Sequence, residues 1–287
     1  MSGGRGRWSD RLTQRWVELT GRRVSWTEHP WLAAPVGDVD VIGSDFFRRL
    51  AAREGLRVVD GGAGRGIVGR LADLASAACR MEQVDRAVVD FYEKTSDYDL
   101  DVWSEWSVAF RPFGRLLAAV FSRRLQQLNL PLDPLDTSRG IKSEVLRLED
   151  GDGRARLTAW VREIVASGRT LYAGSYSTCS PPGAGCVCVK VAFPLPHGFA
   201  LVVMRPESAP DGSFTLHSHG RRFGDPGFYF FVESEPGRGR ARYVASMTES
   251  IRVFTDDAAS LRADHELRLW GRVFLRLHYR MGRRVTS

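Results

Sequence analysis

The side chains of this chain that could do chemistry fall into three local groups. Cys179, Cys186 and Cys188 bracket a Pro-Pro-Gly turn, Cys79 lies far upstream, and His217 and His219 stand two residues apart. Residues two apart on a strand share a face, so the two imidazoles point the same way, as do Cys186 and Cys188. Cys179 and Cys186 would face each other across the turn. Such ligands make a zinc site conceivable, but their spacing departs from that of structural zinc modules, so no metal is expected. A free thiol is also an ordinary small core residue. The second group surrounds Gly224-Asp225-Pro226-Gly227, a strong turn signal. An ion pair from Asp225 to Arg221 or Arg222 would fix this turn, and Arg222 and Tyr229 could stand at the mouth of a cavity. The third group is aromatic. Tyr92, Tyr98, Trp103 and Trp106 lie close together, and Trp160, Tyr172, Tyr176 and Tyr243 come later in the chain. An apolar body with a polar tip suits such residues to lining a pocket, although core packing is the commoner use. There is no Gly-x-Ser-x-Gly elbow, His-Glu-x-x-His helix or phosphate loop. Asp264 and His265 are adjacent, so on a strand they point to opposite faces. Whether the chain is an enzyme stays open.

The glycine-rich run Arg57-Val-Val-Asp-Gly-Gly-Ala-Gly-Arg-Gly66 resembles the first motif of S-adenosylmethionine-dependent methyltransferases, and Met81-Glu-Gln-Val-Asp85 resembles their second strand with its ribose-binding acid. The resemblance implies cofactor contacts from Gly62, Gly64, Gly66 and Asp85. Glycines let a backbone approach the cofactor, and a carboxylate some way on can hold ribose hydroxyls. A doubly wound fold needs several further βα units, whereas the C-terminal half of the chain is a long run of strand-like segments. A glycine turn between two helices is the simpler reading, and no cofactor is expected.

The elements that must position these residues divide the chain in two. Residues 1–84 read as an irregular, helical N-terminal region and 85–287 as a helix plus an antiparallel meander. Helices are expected near 10–19, from a Ser44 cap to Arg53 with Gly55 as the stop, around 67–78, and over 85–93. The strongest helical period falls on 110–128, where Phe113, Leu117, Val120, Phe121, Leu125 and Leu128 share a face. Docking on the sheet is the first reading of that helix, and lying on a membrane surface the second. Pro131 and Pro134 end it.

Strands are then expected over 141–148, 156–164, 170–178, 186–193, 199–205, 213–219, 227–233, 240–254 and 261–281. In the last, aliphatic residues hold the odd positions, and Arg262, Arg268, Arg272, Arg276 and Arg280 hold even ones. That alternation predicts a buried face from Leu267, Leu269, Val273, Leu275 and Leu277 and a wet arginine face. Consecutive strands joined by tight turns make a meander, and so many will curl or close. The fold class is therefore α+β: mainly antiparallel β meander, barrel-like or strongly curved, with an N-terminal helical region.

Composition narrows the class. Hydrophobic residues make up 43% and charged residues 26% of the 287 positions, as in ordinary globular proteins. The net charge is +7, but lysine occurs only at Lys94, Lys142 and Lys190, and arginine is scattered over every segment. Phosphate-binding surfaces concentrate charge on one face, so nucleic acid is not expected as a partner. No apolar run approaches the ~20 residues a membrane helix needs, and the N-terminal residues lack the apolar core of a secretory signal, so the expected location is the cytoplasm.

The runs 90–107, 121–131 and 222–230 together resemble an uncharacterised bacterial protein family over roughly residues 85–281. That resemblance implies that helix and meander form one unit; it carries no activity. The expectation is a container for an apolar or amphipathic small molecule, with Trp103, Trp106, Tyr172, Tyr176 and Tyr229 as contact area and Arg139 and Arg222 as polar anchors.

Overall fold

The computed structural model describes residues 8–37, 45–59, 64–107, 141–164 and 169–284. The first helix, α1 (Trp8–Thr20), is followed by a short strand, β1 (Arg22–Ser25). Helix α2 (Phe46–Glu54) buries Phe46, Phe47, Leu50 and Ala51, the one-sided spacing of a docked helix. Gly55 ends it as expected, in the left-handed conformation, with its N–H donating to Ala51 O. Ser44 and the expected 110–128 helix lie outside the described residues. After β2 (Arg57–Val59), the helix expected over 67–78 is replaced by one tight turn at Leu71–Leu74. Its backbone donors go elsewhere: Leu71 N–H to Glu93 Oε1 at 2.7 Å and Val68 N–H to Tyr92 O at 3.2 Å. Those partners belong to α3 (Arg86–Glu93), which buries Val88, Phe91 and Tyr92.

The aromatic run before the expected helix is a strand, β3 (Tyr98–Trp106), with strictly alternating exposure. The later strands are β4 (Ile141–Glu149), β5 (Ala155–Ile164), β6 (Arg169–Cys179), β7 (Cys188–Leu195), β8 (Gly198–Ser208) and β9 (Phe214–His217). The chain continues through β10 (Gly227–Glu235), β11 (Arg238–Tyr243), β12 (Met247–Thr255), β13 (Leu261–Leu269) and β14 (Arg272–Arg283).

Two expected strands are each a pair. Residues 240–254 divide at the turn after Tyr243, and 261–281 divide at Trp270-Gly271. Both hairpin residues have positive φ, 50° and 75°, as a two-residue turn matched to strand twist requires. The turn was invisible in the alternation because of a bulge. Arg268 pairs with Val273, but Leu267 pairs with Leu275, so Phe274 is the extra residue and odd positions again face odd positions. Phe274 is accordingly buried at an even position. Leu275 and Leu277 are buried as expected, Leu267, Leu269 and Val273 half-buried, and Arg272, Arg276 and Arg280 exposed.

The fourteen strands of the described residues join one antiparallel sheet whose main path runs β2-β4-β5-β6-β7-β8-β9-β12-β13-β14-β3. The sheet forks at β8. Arg205–Ser208 pair with β9, while the stretch from Gly198 to Val203 pairs with β10, which carries β11 and β1. Among the described residues the main path curls without closing. Arg162 Nη2 donates to Leu100 O at 3.4 Å and Arg284 Nη2 to Ser143 O at 3.0 Å, bringing β3 and β14 towards β4 and β5.

Each face has its own cover. On the concave side α3 and the 67–84 loop form a plug of Val88, Phe91, Tyr92, Leu71 and Leu74 against Val189, Val202, Met204, Phe214, Val253 and Met281. On the convex side α2 covers β4, β5 and β6, and the segment from Val24 to Leu32 covers β7, β8 and β10.

Candidate functional site on the concave face

Register determines which side chains share the concave face. Trp160 lies opposite Val145 and Gly174, and Arg162 opposite Ser143 and Tyr172. On the other arm His265 lies opposite Ile251 and Leu277, Glu249 opposite Leu267, and Tyr279 opposite Ala263 and Val102. Trp106 shares this face through its pairing with Leu275. The end nearest α3 is apolar, a polar tier of Arg162, Tyr172, Tyr176, Glu249, His265 and Tyr279 follows, and a second apolar cluster around Leu275, Leu277 and Leu267 lies beyond it.

Local geometry gathers these groups. The hydroxyls of Tyr172 and Tyr176 are 2.6 Å apart, and both rings pack against Trp160, with centroids at 5.7 and 6.0 Å. The Arg162 guanidinium lies 5.5 Å from the centre of the Trp160 ring. Glu249 Oε2 lies 3.0 Å from His265 Nε2, while the backbone N–H of Glu249 donates to Ser218 Oγ at 2.8 Å. Arg162 and Glu249 are buried; Tyr172, Tyr176, Tyr279 and His265 remain partly accessible.

Electrostatics follow burial. Desolvation lowers the Arg162 pKa, opposed by the neighbouring Tyr279, Tyr176 and Tyr172. Desolvation also raises the phenols. It is the largest influence on Tyr172, Tyr176 and Tyr279, and the Glu249 carboxylate adds to each. These tyrosines therefore stay protonated and can donate. Among the described residues no carboxylate comes within ion-pair distance of Arg162, whose Nε has no acceptor. Trp106 Nε1 is a second buried donor without a partner on the same face.

Of the residues singled out in the sequence, Tyr172 and Tyr176 meet here, while Trp106 shares the face but packs further along it, against Phe274, Leu275 and Leu277. Trp103 does not, because odd and even positions of β3 face opposite ways; it is 45% exposed on the convex side, stacked on His278. Tyr229 lies in the convex core, where its hydroxyl donates to Asp225 O and accepts from Gly224 N–H. Arg222 is exposed in the adjoining turn, and Arg139 lies outside the described residues. Asp225 fixes that turn with backbone rather than guanidinium partners: its Oδ2 accepts from Arg221 and Arg222 N–H at 2.9 and 3.1 Å.

Arg162, Tyr279 and the Glu249–His265 pair were missed, because cross-strand partners depend on a register the sequence does not print. Register also answers the adjacency of Asp264 and His265. They do face opposite ways, His265 towards Glu249 and Asp264 towards His278 Nδ1 at 2.7 Å.

The described part of the glycine loop packs against its neighbours. Gly64 N–H donates to Asp97 Oδ1 at 2.6 Å, and a Cβ on Gly66 would collide with Tyr92 O. Gly62 lies outside the described residues. Met81–Gln83 is a helical turn rather than a strand, Asp85 precedes α3, and β2 pairs antiparallel with β4. The described residues thus lack the parallel unit a ribose-binding acid needs.

The cysteines are all free thiols, and Cys188, not Cys186, lies opposite Cys179. Burial pushes the Cys79 and Cys179 thiols up to about 11. His217 and His219 do point together, with ring centroids 5.2 Å apart. No metal-binding group of three or more His, Cys, Asp or Glu side chains occurs among the described residues.

A groove of about 1010 Å³ opens on the convex side between the 33–37 segment, α2 and the β10–β11 turn. The cation at its floor is already used: Lys190 Nζ donates to Ala33 O at 2.6 Å and Trp31 O at 3.3 Å. Its charge holds the N-terminal segment down.

Fold and site define a curled antiparallel-sheet protein with an apolar plug and a donor-rich polar tier on one concave face. No family model matches the chain, and no solved structure matches it. Over 245 residues, 83% of its length, it is 27% identical to a curated protein of Bacillus subtilis (strain 168) named uncharacterized membrane protein YndJ. The chain spans 41% of that relative's length. Among the described residues no helix is long and apolar enough to cross a membrane.

Proposed function

We propose that the concave face binds an amphipathic small molecule. One observation carries this reading: the polar tier holds a buried arginine with no carboxylate partner among the described residues, beside tyrosine rings that remain partly accessible. Burying a charge without compensation is costly, and sites built only for stability pair it. Half-buried Phe193, Phe228 and Ile251 between that tier and the plug supply apolar contact area. The arrangement has the composition of a ligand site: mostly apolar and aromatic, with a few convergent polar groups. The partner is read as a small molecule rather than nucleic acid, since Arg262, Arg268 and Arg276 of β13 and β14 are offset by Asp256 and Glu266, and Arg284 just beyond β14 by Asp99. Native mass spectrometry of freshly purified protein tests the reading. A bound species that leaves on denaturation supports it, and a bare chain that also fails to take up octanoate contradicts it.

A further inference from the structure

We infer that the polar end of the occupant is an oxyanion, a carboxylate or its like, seated between Arg162 and the hydroxyls of Tyr172, Tyr176 and Tyr279. This rests on the binding reading above and adds the chemistry of the head group.

A census of unused hydrogen-bonding capacity gives the sign. Among the described residues Arg162 Nε is a buried donor with no acceptor, and Trp106 Nε1 is a second one further along the same face. Among the described residues the Arg162 guanidinium makes one hydrogen bond, a long one of 3.4 Å to Leu100 O. Tyr172 and Tyr176 share one hydrogen bond between two hydroxyls, so one of the two protons is spare for a third group. Tyr279 adds another hydroxyl on the same face. The carboxylate on that face, Glu249, is engaged by His265. An arginine that is 5% exposed and stacked on an indole presents a rigid fork, which suits a planar two-oxygen anion better than a single carbonyl. The unused donors thus call for an occupant that brings negative charge and acceptor oxygens together. The apolar surface towards α3 would take its tail.

Two dyes with the same ring system separate head group from tail: 8-anilinonaphthalene-1-sulfonate, an anion, and N-phenyl-1-naphthylamine, which is uncharged. Each is titrated by fluorescence against wild type and Arg162→Met, an apolar replacement of similar length. Loss of a charged hydrogen-bonded anchor should weaken the anionic dye about tenfold or more and leave the neutral dye within about twofold. Circular dichroism checks that the variant is folded; if it is not, Tyr279→Phe replaces it, with a several-fold loss expected for the anion alone. Equal weakening of both dyes, or no change in either, overturns the oxyanion inference while the binding reading stands. Failure of wild type to bind either dye overturns the binding reading itself.

Discussion

Tyr172 and Tyr176 reach each other over Gly174, which lies between them on the same strand and face. Their hydroxyls close to 2.6 Å, and a Cβ at Gly174 would sit 2.9 Å from the Tyr172 hydroxyl. The glycine supplies the room in which Tyr172 folds back. Gly174→Ala should therefore displace the ring end and break the pair. The obstructed atom is the tip of a flexible side chain, so stability should change by under about 1 kcal/mol. Binding of 8-anilinonaphthalene-1-sulfonate should weaken several-fold. A full loss of fold, or unchanged binding, would count against this role for Gly174.

Asp90 ties α3 to the end of the sheet. Burial pushes its pKa up, but hydrogen bonds from Lys94, Tyr98 and Arg283 outweigh that and hold it at about 2, against an ordinary 3.8. A carboxyl whose folded pKa is depressed stabilises the fold above its unfolded pKa and loses that contribution as pH falls through the folded value. Urea midpoints should therefore drop between about pH 4 and pH 2. Asp90→Asn should lower the midpoint at pH 6 and narrow its gap from wild type as pH approaches 2. A gap constant with pH would refute the assignment.

Lys190 holds two carbonyls of the N-terminal segment while its own pKa is lowered by burial, with Cys179 opposing. Lys190→Met removes the buried charge but leaves Trp31 O and Ala33 O without this donor. A net loss of about 1–3 kcal/mol is expected. The loss should be local, read as faster amide exchange over residues 26–37 with the sheet unchanged. Exchange that rises uniformly would show a global role instead.

The plug should be worth more than any polar contact. Phe214 is fully buried, its ring 5.0 Å from that of Tyr92 on α3. Phe214→Ala should cost about 3–5 kcal/mol in urea unfolding, the range for a buried phenyl group removed from a filled core. A cost under about 1 kcal/mol would mean that α3 is not seated on the concave face.

Much of this architecture is legible in the residues alone. A period of two marks strands wherever one face is buried, and Gly55 closes α2 for the reason its type suggests. The failures have physical causes. The Leu267–Phe274 bulge preserved the alternation through a hairpin, so two strands read as one. The 67–78 segment has a helical pattern, but its amide protons serve Tyr92 and Glu93 instead of its own turn. The site was half legible. Tyr172 and Tyr176 carry their own spacing, whereas Arg162 becomes distinctive only when curling leaves it without a carboxylate, and Glu249 meets His265 only through the β12–β13 register. Trp103 and Trp106 look alike in sequence and part on strand parity.

The most direct measurement is fluorine NMR of 5-fluorotryptophan-labelled protein during a titration with octanoate, an amphipathic carboxylate. Resonances are assigned by single Trp→Phe variants. The resonances of Trp106 and Trp160, both on the concave face, should move together and saturate, while those of Trp16, Trp103 and Trp270 stay in place. An unmoved Trp160 at millimolar octanoate, or shifts confined to the exposed indoles, would contradict a ligand site inside the curled sheet.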